Sequence, residues 1–200
     1  IFEDAYRYGA YYYYSTNLKW NKNKVYSSRN YSSMYGFYSY YSYKASEIIG
    51  NDINIPGYAA MWLGYHEGNN NDKPLIANNF LRVGKSAGSY GYGLYVTNAG
   101  FARIVNNTIV ATHSGGTYRG VYLTGGANVF LNNIVYETNG YSTSTSYAAI
   151  YINGSFAVLE SDHNNVYSNR NFGYFNGPQI DLAAWQANTP HGANSLDSDP

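Results

Sequence analysis

The sequence predicts an all-β chain: a right-handed parallel β-helix, or solenoid, of about six coils closed by a short C-terminal capping helix. Three observations predict it. One motif returns about every 28 residues, a second motif interleaves with it, and the composition is rich in Tyr, Asn, Gly and Ser but poor in Lys and Glu. That composition suits many short strands joined by polar turns and argues against long helices.

The first motif is anchored on Asn23, Asn51, Asn79, Asn107, Asn133 and Asn165, at intervals of 28, 28, 28, 26 and 32 residues. An apolar residue stands three before the anchor (Trp20, Ile48, Ile76, Ile104, Phe130) and another two after it (Val25, Ile53, Leu81, Ile109, Val135). The sixth copy departs, with Asp162 at the first of these places. In four copies the preceding residue is also Asn: Asn78, Asn106, Asn132 and Asn164. A polar pair between apolar flanks reads as a corner between short strands, because Asn tolerates left-handed backbone angles. Stacked Asn side chains are expected to hydrogen-bond from coil to coil as a structural ladder.

The second motif is small, apolar, aromatic and usually apolar again: Gly36-Phe37-Tyr38-Ser39, Ala60-Met61-Trp62-Leu63, Gly93-Leu94-Tyr95-Val96, Gly120-Val121-Tyr122-Leu123 and Ala149-Ile150-Tyr151-Ile152. Alternation with period two turns the apolar residues inward and the aromatic one outward. Gly9-Ala10-Tyr11-Tyr12 offers an earlier copy whose register the surrounding Tyr run leaves open, and the Tyr-rich opening from Tyr6 to Tyr43 either continues the stack or wraps it. A unit of about 28 residues with two or more strands cannot bury its own apolar face, so the units must stack. Leucine-rich repeats lack their Leu-x-x-Leu-x-Leu signature here, and a propeller blade needs roughly 40 residues. Residues 1–178 are thus read as coils, with 1–19 of uncertain register, and 179–200 as a capping segment. Within the latter, 181–188 reads as a helix with Asp181 as N-cap and Leu182 and Trp185 on one face.

Motifs such as Asn106-Asn107-Thr108-Ile109-Val110 and Asn132-Asn133-Ile134-Val135 resemble the parallel β-helix repeats of the pectate-lyase-like superfamily. The tail, Leu182-Ala183-Ala184-Trp185-Gln186 followed by Gly192-Ala193-Asn194-Ser195 and Asp197-Ser198-Asp199-Pro200, is similar to the closing segment of bacterial members. The resemblance implies the fold. It leaves activity open, since the superfamily includes lyases, hydrolases, adhesins and phage fibres.

Charge narrows the partners. Twelve Lys and Arg balance twelve Asp and Glu, and the Arg residues are scattered at Arg7, Arg29, Arg82, Arg103, Arg119 and Arg170. Nucleic acid is not expected without a basic cluster, and no run approaches the roughly 20 apolar residues of a membrane span. With no Cys, disulfides and thiolate metal sites are excluded. The opening Ile1-Phe2-Glu3-Asp4 lacks the basic start and apolar core of a signal peptide, and the chain reads as a piece of a longer secreted or surface-exposed, bacterial protein. Acceptor triplets for N-glycosylation begin at Asn30, Asn106 and Asn153.

The outward aromatic residues Tyr38, Trp62, Tyr95, Tyr122 and Tyr151 form the candidate ligand-binding column, about 4.8 Å apart. Aromatic faces stack on sugar C–H faces, which makes a polysaccharide or cell-surface glycan the expected partner. The competing reading is that the rings stack on one another. A lyase would need a cationic base beside the sugar, and one offset from the anchors collects Arg29, Lys85 and His113, another Asn54 and Arg82, with no acidic column beside them. A hydrolase would need paired carboxylates, for which Glu160 with Asp162 and Asp197 with Asp199 are candidates. The former marks the end of the core, and the latter suit turn hydrogen bonds. His66, His113, His163 and His191 share no offset, so no metal site is expected, and no cofactor motif occurs. Lys19 and Glu47 share an offset as a surface ion pair. The expected function is a non-enzymatic extracellular surface protein, adhesive or carbohydrate-contacting. A polysaccharide lyase or other carbohydrate-active enzyme is one alternative, and a solenoid that self-associates end to end into filaments is another.

Overall fold

In a computed structural model the described residues are 1–69, 71–84, 90–113, 117–139 and 147–200. Lys85 lies outside them, as does the side chain of His113. The chain winds into a parallel β-solenoid of about five turns, the number of intervals between six anchors. One circuit runs through Asp52–Ile55, Ala59–Glu67 and Leu75–Ala77, and Phe80–Gly84 begins the next. Repetition stacks three parallel sheets of seven, eight and six strands; we call them the anchor, tyrosine and third sheets. Among the described residues only Pro178–Gln179, the last strand of the tyrosine sheet, pairs antiparallel.

The repeated apolar positions become the core. Val25, Ile53, Leu81, Ile109 and Val135 point inward from the anchor sheet, Phe37, Met61, Leu94, Val121 and Ile150 from the tyrosine sheet, and Trp20, Ile48, Ile76, Ile104 and Phe130 from the third. All are essentially buried. Each motif therefore supplies one stripe of a core that no single coil could enclose. The glycine before the inward apolar residue in three of these copies is also explained. A Cβ on Gly93 would collide with Ile109 and with the carbonyl of Gly120, because the anchor sheet approaches the tyrosine sheet there.

The corner before each anchor is left-handed, with φ between 54° and 68° at Lys22, Gly50, Asn78, Asn106, Asn132 and His163. This series corrects the sixth copy. Its rung is Asn164, not Asn165: Asn133 donates its backbone N–H (2.9 Å) and Nδ2 (3.1 Å) to Asn164 Oδ1, while Asn165 pairs in register with Ile134 and its Oδ1 accepts from Ser198 Oγ at 3.1 Å. The inward residue of that coil is accordingly Ser161, with Asp162 turned outward. The other five rungs lie where the repeat puts them. Asn79, for example, donates its N–H (3.0 Å) and Nδ2 (2.9 Å) to Asn107 Oδ1 and a further Nδ2 bond to the Ile48 carbonyl at 2.9 Å.

The open register of the first coil is also settled. Ala10 pairs with Phe37 and Tyr11 with Tyr38, so the Tyr-rich opening continues the stack. At the other end stands the helix Leu182–Asn188, whose N-cap Asp181 accepts the N–H of Ala184 at 2.8 Å. Trp185 fills the place above the core that Gly173 leaves vacant, 5.7 Å from Phe172 between ring centroids. Ser195 Oγ accepts the backbone N–H of Asn164 at 3.1 Å and so terminates the amide column.

Candidate functional site

The tyrosine sheet carries seven aromatic residues in register: Tyr11, Tyr38, Trp62, Tyr95, Tyr122, Tyr151 and Tyr174. Five were expected from the second motif; Tyr11 and Tyr174 extend the column at both ends. Successive centroids are 5.3, 6.2, 3.6, 4.7, 5.1 and 4.4 Å apart, with planes within 15° of parallel. Strand spacing near 4.8 Å imposes this distance, and flat rings fill it only by lying face to face along the solenoid axis. The ladder rings therefore stack on one another. Between neighbours their faces are occupied, and the outer surface offers ring edges and phenol hydroxyls.

A second row, outside the two repeated motifs, lies beside the ladder: Tyr8, Tyr35, Tyr58 and Tyr92. Tyr35 stands at 82° to Tyr38 and Tyr92 at 84° to Tyr95, so these rings press edge against face along the ladder. A sequence signal did exist, because Tyr-Gly-x-Tyr recurs at 8–11, 35–38 and 92–95. On the opposite flank Tyr14, Tyr41 and Tyr65 have φ of 55°, 56° and 51°, unusual for so bulky a side chain, and the kink carries them into a further short stack. Next in that kinked line come Asn98, Gly125 and Gly154, residues that accept left-handed angles readily.

Most of this face is half-buried. Burial is the largest influence on its phenols: it pushes Tyr38 and Tyr95 up to about 12 and raises Tyr35, Tyr58, Tyr92 and Tyr151 as well. These phenols remain protonated near neutral pH and keep a donor and an acceptor each. Arg119 is the only Lys or Arg in the strands of this sheet.

The other candidates fall elsewhere. Asn54 and Arg82 meet in a cleft of about 220 Å³ on the anchor sheet, together with Ser27, Ser28 and Thr112. Arg29 pairs with Asp4 at 3.5 Å instead of joining them. Glu160 and Asp162 share an outward face, where Asn194 donates its backbone N–H and Nδ2 to Asp162, both at 2.7 Å. Asp197 and Asp199 are exposed in the tail. Lys19 and Glu47 form the expected surface pair at 3.3 Å.

Three described histidines occupy separate places: His66 inside the solenoid, His163 at a corner and His191 in the cap. Burial pulls His66 down to about 4. Inside the same tube Glu137 is pushed up to about 7 by burial, while Ser168 Oγ donates to it at 2.6 Å. No helix among the described residues is long and apolar enough to cross a membrane. No known family model matches the chain, and comparison with curated proteins and with solved structures returns no match.

Proposed function

We propose that this chain is a non-enzymatic β-solenoid of a secreted or cell-surface bacterial protein, and that its tyrosine face contacts carbohydrate. The observation that carries this reading is the unbroken seven-ring ladder with a second aromatic row beside it, on one nearly uncharged, half-exposed face. Rigid aromatic side chains give contact area at low entropic cost, and a regular line of phenol hydroxyls suits a hydroxyl-rich polymer lying along the axis. Contact is then made by ring edges and hydroxyls rather than by ring faces. The sequence resemblance to pectate-lyase-like repeats supports placing the chain in that superfamily.

Binding of the intact chain and of a Tyr95→Ala/Tyr122→Ala variant to arrayed polysaccharides tests the proposal. Loss of binding of about tenfold in the variant is expected, equivalent to about 1.4 kcal/mol. Equal binding by both proteins, or none by either, refutes it.

One observation favours a second reading, a carbohydrate-active enzyme: the cleft that brings Arg82 and Asn54 together. Its test is release of unsaturated sugars from uronate polymers, seen as new ultraviolet absorbance that Arg82→Ala abolishes.

A further inference from the structure

Arg119 interrupts a pattern. The motif that reads Tyr8-Gly9-Ala10-Tyr11, Tyr35-Gly36-Phe37-Tyr38 and Tyr92-Gly93-Leu94-Tyr95 becomes Arg119-Gly120-Val121-Tyr122 in the next coil. Register sets Arg119 beside Tyr92, so a guanidinium occupies the place of a phenol in the second row. Its Cζ lies 4.3 Å from the ring centroid of Tyr151, 5.4 Å from Tyr122, 5.8 Å from Tyr92 and 5.9 Å from Tyr147.

The hydrogen bonding of that guanidinium is incomplete. Nη1 donates to the Tyr92 hydroxyl at 3.3 Å, Nε is buried without an acceptor, and Nη2 has no acceptor among the described residues. No carboxylate among the described residues pairs with it. The described ion pairs are Lys19 with Glu47, Arg29 with Asp4, and His163 with Asp162, and the undescribed stretches contain no Asp or Glu. Ring faces offset part of the cost of holding a cation here, but they accept no hydrogen bonds in the plane of the fork. A planar guanidinium with spare in-plane donors is suited to bidentate recognition of an oxyanion.

We infer that Arg119 is an anion subsite of the tyrosine face, and that the glycan lying there bears oxyanions, as uronic-acid carboxylates or sulfate esters. The inference rests on the carbohydrate-contacting reading and names the class of its ligand. A chain laid along the ladder meets phenols on successive coils and brings an oxyanion to the Nη1/Nη2 end of Arg119. A neutral chain offers the same cation only hydroxyl and ring oxygens with no countercharge, so selectivity arises from the charge-assisted, bidentate bonds that an oxyanion alone makes.

Calorimetric titration tests this with three polymers of matched length: a neutral glucan, a polyuronate and a sulfated glucan, each at low and high salt. Wild type, Arg119→Met and Arg119→Lys are compared after circular dichroism has confirmed an unchanged fold. At least one anionic polymer is expected to bind wild type about tenfold or more tighter than the neutral one, an advantage that salt reduces. Arg119→Met should erase the preference while leaving neutral binding in place, and Arg119→Lys should retain part of it. The uronate and sulfate arms tell which oxyanion is read. Equal binding of neutral and anionic chains, or a preference that survives Arg119→Met, overturns the subsite and leaves the carbohydrate reading standing. Failure of wild type to bind all three polymers overturns that reading and the subsite with it.

Discussion

Two adjacent asparagines, Asn164 and Asn165, differ sharply in what they hold. Replacing Asn164 with Ala leaves the buried backbone N–H of Asn133 without its acceptor and takes a donor from the Phe130 carbonyl, bonds of 2.9 and 3.1 Å. Each buried group left unpaired costs about 1–3 kcal/mol, so the substitution should cost about 2–5 kcal/mol. Asn165→Ala removes one exposed contact with Ser198 and should cost less than about 1 kcal/mol. For a chain of 200 residues a loss of about 3 kcal/mol lowers Tm by roughly 6–12 °C. Urea unfolding monitored by fluorescence measures the loss. Because coils near an end of a solenoid can open before the rest, amide exchange at Asn133 should be followed in parallel; its protection should fall in the Asn164 variant alone. Equal effects of the two substitutions, or a larger one at Asn165, would refute the assignment of the sixth rung and the cost attached to it.

Two ionisable groups inside the described part of the solenoid, His66 and Glu137, should oppose each other with pH. His66 is neutral in the fold down to about 4, against 6.5 ordinarily, so its contribution disappears as pH falls from about 6.5 to about 4, by about 3 kcal/mol in all. Glu137, raised from 4.5 to about 7, loses about as much stability as pH rises through that range. Between pH 7 and 5 the wild type should thus change little, whereas His66→Leu should gain stability on acidification and Glu137→Gln should lose it; parallel slopes in the two variants would sink this account. Spectrophotometric titration should resolve two classes of phenol, with Tyr38→Phe and Tyr95→Phe each removing a group from the late class near about 12. Truncating Trp185 to Ala should cost about 3–5 kcal/mol and expose the last coil, giving concentration-dependent association in sedimentation; an unchanged monomer would show that the cap does not guard that end.

Much of the fold could be read from the sequence because a solenoid writes its contacts at a fixed interval. Once Asn51, Asn79 and Asn107 are aligned, their neighbours in space are aligned too. The sixth rung was misread although its signal was present: Val166 stands two residues after Asn164, as Val135 does after Asn133, whereas Tyr167 follows Asn165 at that distance. His163 hid it by taking the left-handed corner that Asn holds in the three preceding coils. The inward place of His66 was not legible for a different reason. Counting by twos from Leu63 turns residue 66 outward, but the left-handed kink at Tyr65 shifts the phase and sends the imidazole into the core. The place of Arg119 was legible as a residue in a repeated motif; the four rings around it were not, since Tyr147 and Tyr151 approach it from another coil.

The amide column also has a direction. Every rung passes its N–H groups to the oxygen of the rung above, from Asn23 through to Asn164, and a serine hydroxyl receives the last. Length in this molecule is therefore quantised. A cassette inserted between two rungs is compatible with the column only if it brings one complete coil, with its own Asn and a left-handed residue before it, and leaves Ser195 as the final acceptor. Duplicating residues 79–106 satisfies that condition and should lengthen the tube by one strand spacing, about 4.8 Å. An insertion of one or two residues at the same point breaks the thread.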